Sequence, residues 1–166
     1  MTEKRQATIL GPDDGEMFDA VGDRYRFLAT REVTEGRYGI WEAVVPPGSG
    51  PPPHLHTREE EGFYVIEGEV TIHVDGRKVV ATAGSFVNMP AGSTHWFRNE
   101  SDRPAKMLIL VAPGGMESMF RRTGRPVADP ATPIPRPSEA EIRNILAVAP
   151  EFGIEIKLPG GPSGGH

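Results

Sequence analysis

The sequence contains no cysteine, so neither disulfides nor thiolate metal ligation is open to it. No cluster of lysine and arginine is longer than a pair, and the formal net charge is −5. Such a chain offers no field for nucleic acid or an anionic membrane surface. No apolar run approaches the ~20 residues of a membrane-spanning helix. Met1 to Gln6 is polar and lacks the apolar centre of a secretion signal. These absences predict a soluble, cytoplasmic protein with neither nucleic acid nor membrane as partner. No internal repeat is visible, which favours one barrel over a duplicated pair.

Glycine and proline are plentiful, at 20 and 17 of 166 residues. That composition suits short strands joined by tight turns better than a helical bundle. The length is enough for one domain with a real core. Alternation and turn signals predict strands at Arg24 to Ala29, Tyr38 to Val45, Phe63 to Glu67, Val70 to Asp75, Lys78 to Thr82, Ser85 to Asn88, His95 to Asn99 and Lys106 to Val111. Val70, Ile72 and Val74 share one face of their strand, and Thr71, His73 and Asp75 the other. Asp75-Gly76 is a two-residue hairpin signal. Ala7 to Leu10 is a candidate edge strand. Many short strands so spaced predict an all-β sandwich or barrel.

After Val111 the composition changes. Met116 to Arg122 is a candidate short helix, and residues 124 to 137 form a proline-rich connector. Ser138 and Glu141 make a capping box. Behind it Ile142, Ile145, Leu146 and Ala149 lie on one helical face, predicted to pack onto a barrel. Phe152 to Ile156 suits a last strand, and residues 159 to 166 a disordered tail. The expected division is an N-terminal arm over 1–23, a barrel over 24–122, and connector, helix and tail over 123–166.

Chemistry concentrates in two segments. The first is Gly48-(x5)-His54-x-His56-(x4)-Glu61-(x6)-Gly68; the second is Gly84-(x5)-Pro90-x-Gly92-(x2)-His95-(x3)-Asn99. On an extended segment His54 and His56 put both imidazoles on one face, about 6.6 Å apart at Cα. Two such rings can converge on one ion. His95 has to come from a distant strand, which a closed or sandwiched sheet supplies. Glu59, Glu60 and Glu61 compete for the carboxylate role. Glu61 is preferred because it stands six residues before Gly68 and shares strand parity with Phe63 and Val65; Glu60 is the fallback. Pro90 and Gly92 suit the second and fourth positions of a type I turn from Met89 to Gly92. Asn99 suits strand-end backbone groups better than a metal.

A lone strand histidine is usually a surface or satisfied core residue. His73, on the polar side of its strand, fits that description, as does His166 in the tail. The same explanation of His54, His56, Glu61 and His95 needs the whole spacing to be accidental. The reading is therefore one divalent transition metal per chain held by these four, with Fe(II), Mn, Ni, Co, Cu and Zn all compatible with three N donors and one O donor. Phe63, Tyr64, Phe86, Trp96 and Phe97 are candidate walls of an apolar substrate pocket, although core packing accounts for many such aromatics.

The two segments match, at every fixed position, the paired motifs of the cupin superfamily, which the chain resembles over 48 to 99 closely and over 24 to 112 loosely. The resemblance implies a jelly-roll β-barrel, here with a C-terminal helix. Val44 to Gly48, Gly62 to Gly68 and Val111 to Glu117 are also similar to small bacterial proteins related to quercetin dioxygenase. That similarity implies a mononuclear metal dioxygenase acting on a flavonol-like or other enolisable small molecule, with Glu61 as ligand and proton acceptor. One alternative is a non-redox isomerase, cyclase or hydrolase using the metal as Lewis acid; a sugar phosphate would then need Arg58, Arg98 or Arg103. The other is a small-molecule sensor without turnover. Small cupins are commonly dimers, and residues 7–10 and 24–30 are the expected edge for a homodimer.

Overall fold

Alternation explains most of this fold. The computed structural model describes residues 5–158. In chain order the strands are β1 (Met17–Ala20), β2 (Asp23–Ala29), β3 (Gly39–Val45), β4 (His54–His56), β5 (Glu60–Glu67), β6 (Glu69–Val74), β7 (Arg77–Thr82), β8 (Phe86–Met89), β9 (His95–Arg98), β10 (Ala105–Ala112), β11 (Arg125–Pro126) and β12 (Ile154–Ile156). The helices are α1 (Arg31–Thr34), α2 (Glu117–Thr123) and α3 (Glu139–Val148), with a 3-10 turn at Ala149–Phe152. Two antiparallel sheets face each other, ordered β11-β1-β2-β3-β10-β5-β8 and β12-β4-β9-β6-β7. This is a mostly-β, jelly-roll arrangement. Among the described residues no helix is long and apolar enough to cross a membrane.

The core is built from inward residues of every second position. Trp41, Ala43 and Val45 of β3, Met107, Ile109 and Val111 of β10, and Val70, Ile72 and Val74 of β6 are all buried. Asp75 and Gly76 both take positive φ, 47° and 78°, and close the β6–β7 hairpin as expected.

Some expectations change. Ala7 to Leu10 is exposed and not in a strand. The stretch is too short and finds no neighbour to pair with. The first strand is instead β1, turned onto β2 by Val21 and Gly22 at φ 50° and 90°. Because β1 covers it, β2 lies inside its sheet, so residues 7–10 and 24–30 form no free edge. The turn before β9 runs from Pro90 to Ser93, where Ser93 N–H donates to the Pro90 carbonyl at 3.0 Å. Gly92 sits third in it at φ 87°, a conformation that a glycine-bearing type II turn requires. The expected Met89–Gly92 turn is thus displaced by one residue.

The capping box of α3 is present: Ser138 N–H donates to Glu141 at 2.7 Å, and Glu141 N–H to Ser138 Oγ at 3.3 Å. The expected apolar face seats only in part. Ala149 is buried, Ile145 and Leu146 are half-buried, and Ile142 is 44% exposed. The helix docks by its C-terminal end, where Val148 enters the core, and its first turns overhang a groove. The last strand forms and adds to β4. The expected tail at 159–166, with His166, lies outside the described residues.

Candidate metal centre

Three rings and one carboxylate meet between the sheets. His54 and His56 project from β4 to the same side, and His54 pairs directly with His95 of the adjacent β9. Glu61 comes from β5 in the opposite sheet. Gly50 makes this possible, because it lies against the Phe97 carbonyl where a Cβ would collide. That contact holds the Pro51–Pro53 segment, and β4 after it, beside β9. One donor atom from each of His54, His56, Glu61 and His95 lies within 4.8 Å of the others. All four are at least nine-tenths buried, with His56 and His95 at 1% exposure.

Second partners fix the tautomers. His54 Nδ1–H donates to the Pro52 carbonyl at 2.9 Å, and His95 Nδ1–H to the Ser93 carbonyl at 3.0 Å. A carbonyl only accepts, so each ring turns an Nε2 lone pair inward. His95 Nε2 then faces Glu61 Oε2 at 2.8 Å, and His56 Nε2 faces the same oxygen at 3.2 Å. Lone pair against carboxylate is repulsive unless a cation lies between, either a proton or a metal. The donor set therefore fits a divalent metal held by imidazole and carboxylate.

Electrostatics agree with an anion among rings. Burial alone raises the pKa of Glu61, but the His56 and His95 rings outweigh it and hold the carboxyl far below the usual range. Burial lowers His56, yet Glu61 and Glu59 overcome it and push the ring up to about 9. His54 lacks such a close partner, and burial pulls it down to about 4.

Of the three competing glutamates, Glu61 is at the cluster. Glu60 points outward and accepts from Asn88 at 2.5 Å. Glu59 is buried, with Oε2 3.4 Å from His56 Nδ1, where it orients that ring from behind. Strand parity gave no hint of this, since Glu59 precedes β5. Asn99 binds the Val45 and Arg103 carbonyls, at 2.8 and 2.6 Å, and stays away from the cluster.

His54 and Glu61 also line a cavity of about 60 Å³ whose other walls are mainly apolar, among them Phe63, Phe97, Ile109 and Phe120. A groove of about 310 Å³ under α3 shares Val21, Pro52, Ile145 and Ile156 with it. The aromatic candidates divide by parity. Phe63 and Phe97 point inward, edge to face at 5.4 Å. Tyr64 and Phe86 lie on the outer surface, 45% and 64% exposed. Trp96 stacks on His73 at 4.3 Å, outside the five-stranded sheet. These three do not line the cavity, because each is one residue out of phase with the inward face. Tyr25 and Trp41 do line it, and sequence reasoning passed over both. Arg58, Arg98 and Arg103 are surface residues and absent from its wall.

Comparison with known proteins agrees with this geometry. The family model described as Cupin domain matches residues 41–111. The quercetin 2,3-dioxygenase of Bacillus subtilis (strain 168) is 29% identical over 118 residues, covering 71% of this chain and 35% of that protein. Protein SchB of Streptomyces halstedii is 32% identical over 116 residues, covering 68% and 82% of the two chains. Among solved structures, the polyketide cyclase RemF of Streptomyces resistomycificus superposes with a TM-score of 0.57 at 22% identity, over 64% of this chain and 80% of that one. The chain spans about a third of the length of the Bacillus enzyme, and half the length of two further curated relatives.

Proposed function

Given that the chain belongs to the cupin family, we propose that it is a metal-dependent dioxygenase acting on a small enolisable molecule. The observation that carries this reading is the placement of the three-histidine, one-glutamate cluster in the wall of a cavity that is otherwise mainly apolar. A divalent transition metal held by His54, His56, Glu61 and His95 would supply a Lewis-acidic, redox-capable centre. Phe63 and Phe97 exclude water beside it, which strengthens the electrostatics of the site. Glu61 accepts the proton of the substrate hydroxyl at a carboxylate oxygen. Its depressed pKa makes it a weak base, suited to the acidic hydroxyl of an enol or hydroxy-ketone and not to a sugar alcohol. The relation to a quercetin dioxygenase supports the oxidative version. A three-ring flavonol exceeds the inner cavity and would have to reach into the groove beneath α3.

Natively purified protein is expected to carry about one transition metal per chain by elemental analysis. His54→Ala and His95→Ala should each lower that content while the far-ultraviolet circular dichroism stays unchanged. A folded wild-type chain that cannot be loaded with any first-row divalent metal defeats the assignment. For the activity, protein loaded separately with Fe(II), Mn, Ni and Co is incubated in air with small hydroxy-ketones and with flavonols while oxygen uptake is followed. Metal-dependent uptake, lost in Glu61→Gln with metal retained, is the expected result. Substrate conversion without oxygen uptake would move the assignment to the non-redox isomerase or cyclase class.

The homodimer is proposed through a different face from the one the sequence suggested. Tyr64, Ile66, Phe86 and Leu110 are exposed on the outer side of β5, β8 and β10, and Tyr64 pairs directly with Phe86. β8 ends its sheet there, and two like edges can continue one another antiparallel about a two-fold axis. Light scattering should give twice the 18.0 kDa chain mass. Phe86→Lys should return it to a monomer, and a wild-type monomer at micromolar concentration refutes the proposal.

A further inference from the structure

Among the described residues four buried side-chain atoms find no hydrogen-bond partner: His56 Nδ1 and Nε2, Glu59 Oε2 and Trp41 Nε1. The first three belong to the metal cluster and the glutamate behind it: a bound cation would engage His56 Nε2, while His56 Nδ1 and Glu59 Oε2 face each other at 3.4 Å. Trp41 has no such explanation. It is fully buried on β3, in the row that runs across the sheet through Phe27 on one side and Ile109 and Phe63 on the other. Its ring meets Phe27 and Phe120 edge-on, with centroids at 6.3 and 5.8 Å. It lines the same cavity as His54 and Glu61.

The hydroxyl of Tyr25, on the same wall, donates to Asp23 at 3.3 Å, and neither it nor the Glu61 carboxylate makes a hydrogen bond with the indole. A phenylalanine at 41 would pack against Phe27 and Phe120 without leaving a donor idle. Buried indole N–H groups normally do find a partner. An idle donor on a residue of the cavity wall is open to an acceptor carried by a ligand.

We propose that Trp41 Nε1–H is a recognition donor, and that the ligand carries two polar ends. One end is the enolic oxygen pair that faces His54 and Glu61; the other is an acceptor oxygen, a ring ether or carbonyl, that takes the Trp41 proton. The body between them is apolar and planar, as the walls require. This rests on the reading that the cluster holds a metal. Within that reading it divides enolisable molecules by class: those with a second acceptor are selected over hydrocarbon analogues, because the latter leave the indole unpaired.

The test uses zinc-loaded protein and two probes of similar size. Maltol is a hydroxy-ketone with an additional ring oxygen; tropolone has the same chelating pair on an all-carbon ring. Zinc content is measured first, and a chain that takes up no zinc removes the metal reading and this proposal together. With zinc bound, calorimetry should show Trp41→Phe weakening maltol about tenfold and tropolone less than twofold. The chain has two tryptophans, so its amide correlation spectrum holds two indole signals. The one lost in Trp41→Phe should move downfield with maltol and stay near its place with tropolone. The wild-type spectrum decides even if the variant does not fold, since Trp96→Phe assigns the signals by the other route. Equal weakening of both probes, failure of maltol to bind, or an indole signal indifferent to maltol overturns the proposal and leaves the metal site standing.

Discussion

A chain ending at Pro137 should melt about 10 °C below the full-length protein and lose much of its zinc affinity. The missing segment carries Val148, Ala149 and Ile154, all buried in the core, together with the partly buried Ile145, Phe152 and Ile156. Each large side chain so buried contributes roughly 1.5–3 kcal/mol. After the entropy of ordering the segment, a net loss of about 3–5 kcal/mol remains, and each kcal/mol is worth about 2–4 °C at this size. The loss of metal affinity has a separate cause. β12 pairs with β4 from Ile154 opposite His56 to Ile156 opposite His54. Without it the strand that bears two ligands keeps its pairing with β9 alone. Scanning calorimetry of both chains, with and without zinc, reads both effects. Equal melting temperatures and equal zinc shifts would mean that the C-terminal segment is not seated on the barrel.

The second large effect is in pH dependence. Asp23 is fully buried. It accepts from Ser49 Oγ at 2.7 Å and from the Tyr25 hydroxyl at 3.3 Å. Burial pushes its pKa up from 3.8 to about 7, and the two hydrogen bonds only partly oppose this. A carboxyl raised in the folded state holds its proton there between pH 4 and 7, while the unfolded chain releases it. Its contribution to stability is therefore complete below about pH 4 and is lost as pH rises through about 7. At about 1.4 kcal/mol for each pKa unit, the loss approaches 4 kcal/mol. Asp23→Asn keeps the shape and removes the titration. The difference in unfolding free energy, variant minus wild type, should grow by about 3–4 kcal/mol from pH 4 to pH 8. A difference that stays flat across this range would falsify the assignment of a buried, raised Asp23.

How much of this was legible beforehand follows from the kind of signal each feature leaves. Strands announce themselves through period-two alternation, and β3, β6 and β10 lie where Trp41, Val70–Val74 and Met107–Val111 alternate. The ligand set was readable because side-chain type and spacing both mark it. β1 was missed because four residues carry too little period. Its placement depends on Val21 adopting positive φ, which no propensity favours. The cavity wall was read by residue type without phase, so aromatics near the motifs were gathered whether they faced in or out. Phe63 and Tyr64 are adjacent in sequence and on opposite sides of the sheet. Tyr25 and Trp41 escaped because they sit far from the motifs in sequence, and only the pairing β2–β3–β10–β5 brings their row beside Phe63. Glu59 escaped because its role depends on the path of the chain just before β5 and on no periodicity.

The ligands are divided unevenly between the two layers, three imidazoles from one sheet and a carboxylate from the other. A metal bound by all four would be a rivet through the sandwich, tying one layer to the other. Stability and metal content become one variable, since a ligand that binds only the closed form adds to folding free energy. The metal found in a preparation would record the supply inside the producing cell as much as the preference of the site.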